Sequence, residues 1–133
     1  MELETERSDG KTLVSSCGSG RVVVGGKTFT QSFLIAPDGT AEHWEVQQFS
    51  ALSPAHLEQL CLIDSDVLMI GTGVSQRLPD AALSRILADH GRSAEFMSSR
   101  SACTTFNILT LDHRRVLAPR SGTERDWNSA PAD

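Results

Sequence analysis

The chain has 133 residues, 39% hydrophobic and 22% charged, as expected of one soluble domain enclosing one core, and it is too short for two. Its apolar stretches are broken by polar groups well short of the roughly 20 residues that a bilayer-spanning helix needs, so no membrane insertion is expected. The net charge of −5 is unevenly spread, with four basic against ten acidic groups in residues 1–66 and seven arginines against four acids in residues 67–120; this suits a small anionic partner better than nucleic acid, which asks for a larger basic excess and interleaved aromatics.

The opening "MELETERSDGKT" is acidic, without the apolar core or the arginine-rich face of a targeting segment, which predicts a cytoplasmic protein. Residues 1–18 and 119–133 are polar and aperiodic and are expected to be flexible ends around a single domain at 19–118. Within it, "RVVV", Gly25-Gly26 and "KTFTQSFLIA" read as two extended segments joined by a glycine turn. Pro37-Asp38-Gly39 marks the next turn, and "TAEHWEVQQF" reads as a third strand carrying Trp44. Ser53-Pro54 is an N-cap followed by a proline at the first helical position, ahead of Leu57, Leu60 and Cys61 on one face.

The continuous apolar run "DVLMIG" has the pattern of a strand covered on both faces. From Pro79, the residues Ala82, Leu83, Ile86, Leu87 and His90 keep helical spacing up to Gly91, and "SAEFM" supplies the next strand, so strand, helix and strand predict a parallel pair. "SRSACTTFNILTL" is read as a helix although its β-branched residues also suit a strand. A turn near Asp112-His113 and a closing strand at 114–118 complete the α/β order.

The carboxyl end of a parallel strand is where open α/β sheets place ligands, which makes Gly71, Thr72, Gly73, Gln76 and Arg77 candidate pocket residues. The turn matches neither phosphate-binding device: Gln76 stands where a dinucleotide fingerprint needs its third glycine, and no Gly-Lys-Ser/Thr follows. No cofactor is therefore expected. On the following helix, Cys103 is a candidate low-pKa thiol with Arg100 to stabilise its anion, weighed against a simply packed cysteine. Ser99, Thr105 and Asn107 join the candidate pocket, Asn107 through its amide. Cys17, Cys61 and Cys103 lack CxxC spacing and are expected to be free thiols; the four histidines lack metal-ligand spacing, so neither a metal site nor a catalytic set is predicted.

"LMIGTGVSQRLP", "AEFMSSRSACTTFNIL" and "RRVLA", preceded by "GGKTFTQSFLIAPDG", resemble the Mth938-like proteins, a family of unknown biochemical activity that includes a mitochondrial complex I assembly factor. The resemblance implies a single three-layer α/β domain with a mixed central sheet and an N-terminal β-rich section. It also implies a non-enzymatic binding or assembly-assisting module whose partner is another protein. The alternative is a small-molecule or anion-binding protein, or an enzyme, using the cleft after the central strand. The chain departs from the family pattern at Ser98-Ser99, where Asp-Thr is usual, at Thr104, where bacterial members commonly carry Arg, and at Asp112-His113, where Glu-Gly is common.

Overall fold

Three short strands come first in the computed structural model, which describes residues 11–18 and 20–122. Strand β1 (Val14–Gly18) pairs antiparallel with β2 (Arg21–Val24), and β2 with β3 (Lys27–Phe29) across the Gly25-Gly26 turn. The expected flexible segment 1–18 is thus ordered from Val14 on, and only the part at 1–10 lies outside the described residues. Polar "VSSCG" hides this strand from a periodicity reading: Val14 is buried against Val24 while Ser15 and Ser16 face outward.

"KTFTQSFLIA" is not one strand. It breaks at Ser32 into β3 and β4 (Phe33–Ile35), which belong to different sheets. Strand β5 (Ala41–His43) turns back on β4 through Pro37-Asp38-Gly39, where the Asp38 carboxylate accepts the Thr40 N–H at 2.9 Å. The expected third strand is therefore only three residues long; it ends before Trp44, which is half-buried. After a 3-10 turn at Phe49–Ala51, Ser53 caps α1 (Pro54–Cys61): its hydroxyl accepts the His56 N–H at 3.2 Å, and the His56 ring accepts the Ser53 N–H at 3.1 Å.

The remaining elements are β6 (Val67–Gly71), α2 (Ala81–Asp89), β7 (Ala94–Met97), α3 (Ser99–Leu111) and β8 (Val116–Arg120). Helix α2 starts two residues beyond Pro79 because Asp80 is its cap, its carboxylate accepting the Leu83 N–H at 2.9 Å. The strands order as β5-β4-β8-β6-β7 in a mixed sheet: β6 is parallel to both β7 and β8, and β4 is antiparallel to both β8 and β5. The closing strand is shifted by two residues from its expected place. Arg115 stays outside it, held by Asp64 at 3.1 Å and Asp66 at 3.2 Å, and these contacts raise the guanidinium's pKa while the Arg115 N–H lowers that of Asp66.

Alternation along the central strands splits the core in two. Met69, Val116 and Ala118 face β1–β3 and α3, joining Val22, Val24, Phe29, Phe33, Cys103 and Phe106. Leu68, Ile70 and Leu117 face α1 and α2, joining Leu57, Leu60, Leu83, Leu87 and Phe96. The five-stranded sheet is thus the middle of three layers, covered on both faces as its unbroken apolar run predicts.

Candidate functional site

Leaving β6, the chain needs glycine twice for two different reasons. At Gly71 the reason is space: a Cβ would lie 3.2 Å from Cγ of Arg120 and 3.4 Å from Oγ of Ser99. At Gly73 it is backbone conformation, φ being +106°. The turn is then tied to its neighbours. Thr72 N–H donates to the Met97 carbonyl at 2.8 Å, Gly73 N–H to Oγ of Ser99 at 3.1 Å, and Ser99 N–H to the Gly73 carbonyl at 2.8 Å. The Thr72 hydroxyl donates to the Ser75 carbonyl at 2.8 Å and accepts the Arg77 N–H at 3.0 Å. Gln76 reaches from the loop to the Phe96 carbonyl at 2.8 Å.

The amides of Thr72, Gly73 and Arg77 are taken up by the fold, and the next helix begins at Ala81 behind an acidic cap. What the turn does build is one wall of an open cleft of about 290 Å³, lined by Thr72, Gly73, Val74, Ser75 and Arg77, by Gln48, Phe49 and Ser50, and by Ser121 and Gly122. Arg77 on this wall is exposed, as is Leu78 after it in the chain.

The far wall comes from the segment expected to be a flexible tail. Val116 through Gly122 are all buried, so the ordered domain runs beyond 118, and the expectation for 123–133 lies outside the described residues. Ser121 N–H donates to the Gly71 carbonyl at 3.0 Å, and Gly122 N–H to the Ser32 hydroxyl at 2.9 Å. The Arg120 guanidinium is buried, donates to the Gly122 carbonyl at 3.1 Å, and lies 5.7 Å from the centre of the Phe33 ring.

The ten candidate residues do not share one pocket. Thr72, Gly73 and Arg77 line the cleft, while Gly71, Gln76 and Ser99 brace it from behind, Ser99 being wholly buried. Arg100 and Thr105 lie on the outer and partly covered faces of α3, and Cys103 and Asn107 face β1. Asn107 behaves as a strand partner: it accepts the Val14 N–H at 2.8 Å and donates to the Val14 carbonyl at 2.7 Å. Asn107→Ala is expected to cost about 1–3 kcal/mol through these two losses. Hydrogen exchange checks the assignment, with protection falling in residues 14–18 while β6 keeps its own.

Cys103 departs from the low-pKa expectation. It is the fifth residue of α3, buried, and its pKa is raised, first by its hydrogen bond with Cys17 and then by burial. Cys17, half-buried on β1, is the one lowered, to about 7: the Cys103 hydrogen bond is the main cause, with Arg100 and Arg120 adding smaller electrostatic help against burial. Nothing in the spacing of the cysteines signals that the two meet. All three thiols are free, and among the described residues no group of three or more His, Cys, Asp or Glu side chains is placed to hold a metal ion.

The residues missed from the sequence are Gln48, Phe49, Ser50, Ser121 and Gly122 in the cleft, and Cys17 beside Cys103. The signal for the first group was weak, because loop residues brought in from distant segments carry no period. "PRSG" did offer one clue, an arginine at the end of an apolar strand "VLAP".

A model of the family described as "Protein of unknown function (DUF498/DUF598)" matches residues 14–119. A solved structure from Bordetella parapertussis is 30% identical, with a TM-score of 0.76 over 84% of this chain and 96% of that one. A Bordetella pertussis structure described as a Mth938-like domain is 24% identical, with a TM-score of 0.68 over 84% of this chain and 88% of that one, so the fold is Mth938-like. Among curated relatives, the "13 kDa major membrane protein" of Francisella tularensis is 24% identical over 117 residues, 87% of this chain and 95% of that protein. "NADH dehydrogenase [ubiquinone] 1 alpha subcomplex assembly factor 3" of Danio rerio is 26% identical over 118 residues, 87% of this chain and 67% of that protein. No helix among the described residues is long and apolar enough to cross a membrane.

Proposed function

Since the chain belongs to the DUF498/DUF598 family of proteins of unknown function, we propose that it is a non-enzymatic binding module that assists assembly by engaging another protein at the cleft beside Gly73. The observation that carries this reading is the match to the zebrafish assembly factor, which runs through 87% of this chain rather than through a short shared motif. The cleft supports the choice of surface. It combines backbone held by the Thr72, Gly73 and Ser99 hydrogen bonds with the exposed cation of Arg77 on its wall, and the next residue in the chain, Leu78, is 71% exposed. A fixed concave wall with one apolar and one charged anchor matches the anatomy of protein interfaces, where a few anchors carry most of the affinity.

The test is capture of tagged protein from its native cells under mild crosslinking, beside a variant carrying Arg77→Glu and Leu78→Ser. A reproducible partner whose recovery falls about tenfold or more in the variant is the expected result, equivalent to the ~1.4 kcal/mol or more expected from losing an anchor. Failure to recover any partner above the tag alone would overturn the reading, and a partner retained by the variant would move the docking place elsewhere on the fold.

A second reading has support from Arg77 on the cleft wall and from the arginine-rich 67–120 region: the cleft takes a small anionic molecule. Here a thermal-shift series with inorganic phosphate, nucleotides and acyl carriers should give saturable stabilisation that disappears in Arg77→Ala. A flat series leaves the protein-partner reading standing alone.

A further inference from the structure

Among the described residues strand β1 is the edge of its sheet, pairing with β2, and it reaches the body of the domain by lying on α3. Asn107 clamps it at Val14 through two hydrogen bonds. One helical turn back along α3 from Asn107 is Cys103, and three residues along β1 from Val14 is Cys17, so the same run of strand against helix packs Cys17 against the core layer that holds Cys103. Cys17 is only half-buried, whereas Cys103 is 7% exposed. A cavity of about 20 Å³ beside Cys103, Ala102 and Phe106 leaves that sulfur room to turn. Cys61, the remaining thiol, sits in the other core layer across the five-stranded sheet.

From this geometry we propose that Cys17 and Cys103 are a redox-active pair that a hydroperoxide converts into a disulfide stapling β1 to α3. In the first step the Cys17 thiolate attacks one oxygen of hydrogen peroxide; the O–O bond breaks, Cys17 becomes a sulfenic acid, and the departing hydroxide takes up a proton to leave as water. In the second, the Cys103 sulfur attacks the sulfur of Cys17, the S–O bond breaks, and the hydroxide released takes the Cys103 proton, leaving the disulfide and a second water. Two thiols are oxidised and one peroxide is reduced.

The division of roles follows from the surroundings. Cys17 is the accessible member and the one favoured as a thiolate, mainly through Cys103, with Arg100 and Arg120 adding smaller electrostatic help. Cys103 is held protonated by burial and by the neighbouring Cys17 anion. Oxidation of Cys17 to the neutral sulfenic acid removes that anion, so the second thiol is released to react only after the first has done so.

The test treats the full chain with increasing hydrogen peroxide and reads intact mass and disulfide-linked peptides. Wild type and Cys61→Ser should both lose two hydrogens and yield one internal Cys17–Cys103 peptide, whereas Cys103→Ser should stop at a Cys17 sulfenic acid that dimedone traps. Oxidised wild type should melt at a higher temperature than reduced, and added thiol should return it. In parallel, alkylation of Cys17 at neutral pH should slow about threefold in Cys103→Ala, the loss of thiolate outweighing the gain in intrinsic nucleophilicity, and less in Cys103→Ser, which keeps a hydroxyl donor. Separate overoxidation of the two cysteines, only intermolecular disulfides, or internal disulfides that include Cys61 would each overturn the proposal, as would equal alkylation rates in wild type and Cys103→Ala.

Discussion

Leu117→Ala is expected to destabilise the domain by about 2–5 kcal/mol, a shift of roughly 10 °C or more in melting temperature. Leu117 is 0% exposed on β8, between β4 and β6, and packs in the layer that contains Leu57, Leu68 and Ile70. A strand covered on both faces cannot collapse into the space left by a lost isobutyl group without moving the whole sheet, so most of the cavity should persist. Leu111→Ala at the end of α3, 49% exposed, is the matched control and should change stability by less than about 0.5 kcal/mol. Urea unfolding of the two variants checks this, and similar midpoints would contradict the layer assignment.

The second large effect is expected at Arg120. Truncation to alanine leaves the Gly122 carbonyl, and the Gln31 carbonyl 3.4 Å away, without this donor, removes the cation from the Phe33 ring, and opens a gap behind Gly71. These losses together are expected to cost about 2–4 kcal/mol. The same contact makes a sharper test. Gly71→Ala places a methyl 3.2 Å from Cγ of Arg120, so it should destabilise wild type but cost less in Arg120→Ala, where that carbon is gone. A double-mutant cycle in urea should return a coupling of about 0.5–3 kcal/mol. Additive effects would mean that Gly71 is glycine for a reason other than this side chain.

How much of this was legible beforehand depended on whether a residue's role was local. "DVLMIG" announces a doubly covered strand, and Ser53-Pro54 announces a helix start, because hydrophobic coverage and capping are settled within a few residues. The helix at 99–111 also emerged as expected: packing of Ala102, Cys103 and Phe106 into one core layer outweighs the β preference of Thr104, Thr105 and Ile108. The errors fell where a distant partner decides. "VSSCG" becomes a strand through Val24 and Asn107, "PRSG" is buried through Ser32 and Gly71, and "KTFTQSFLIA" divides because its halves serve two sheets. The candidate site was half legible for the same reason. Its glycine turn is a local signal, whereas its far wall and the meeting of Cys17 with Cys103 are products of the completed fold.

The clasp between Val14 and Asn107 joins positions 93 residues apart. On the ribosome the first three strands therefore emerge long before the helix they rest on, by roughly 5–20 s at ordinary rates of synthesis. Through that interval Val22, Val24 and Phe29 lack the cover that Cys103 and Phe106 later give them, so the nascent chain passes through a stage in which its earliest segment is incompletely buried. Seating of that segment is consequently a late event, timed by translation of the chain's final third.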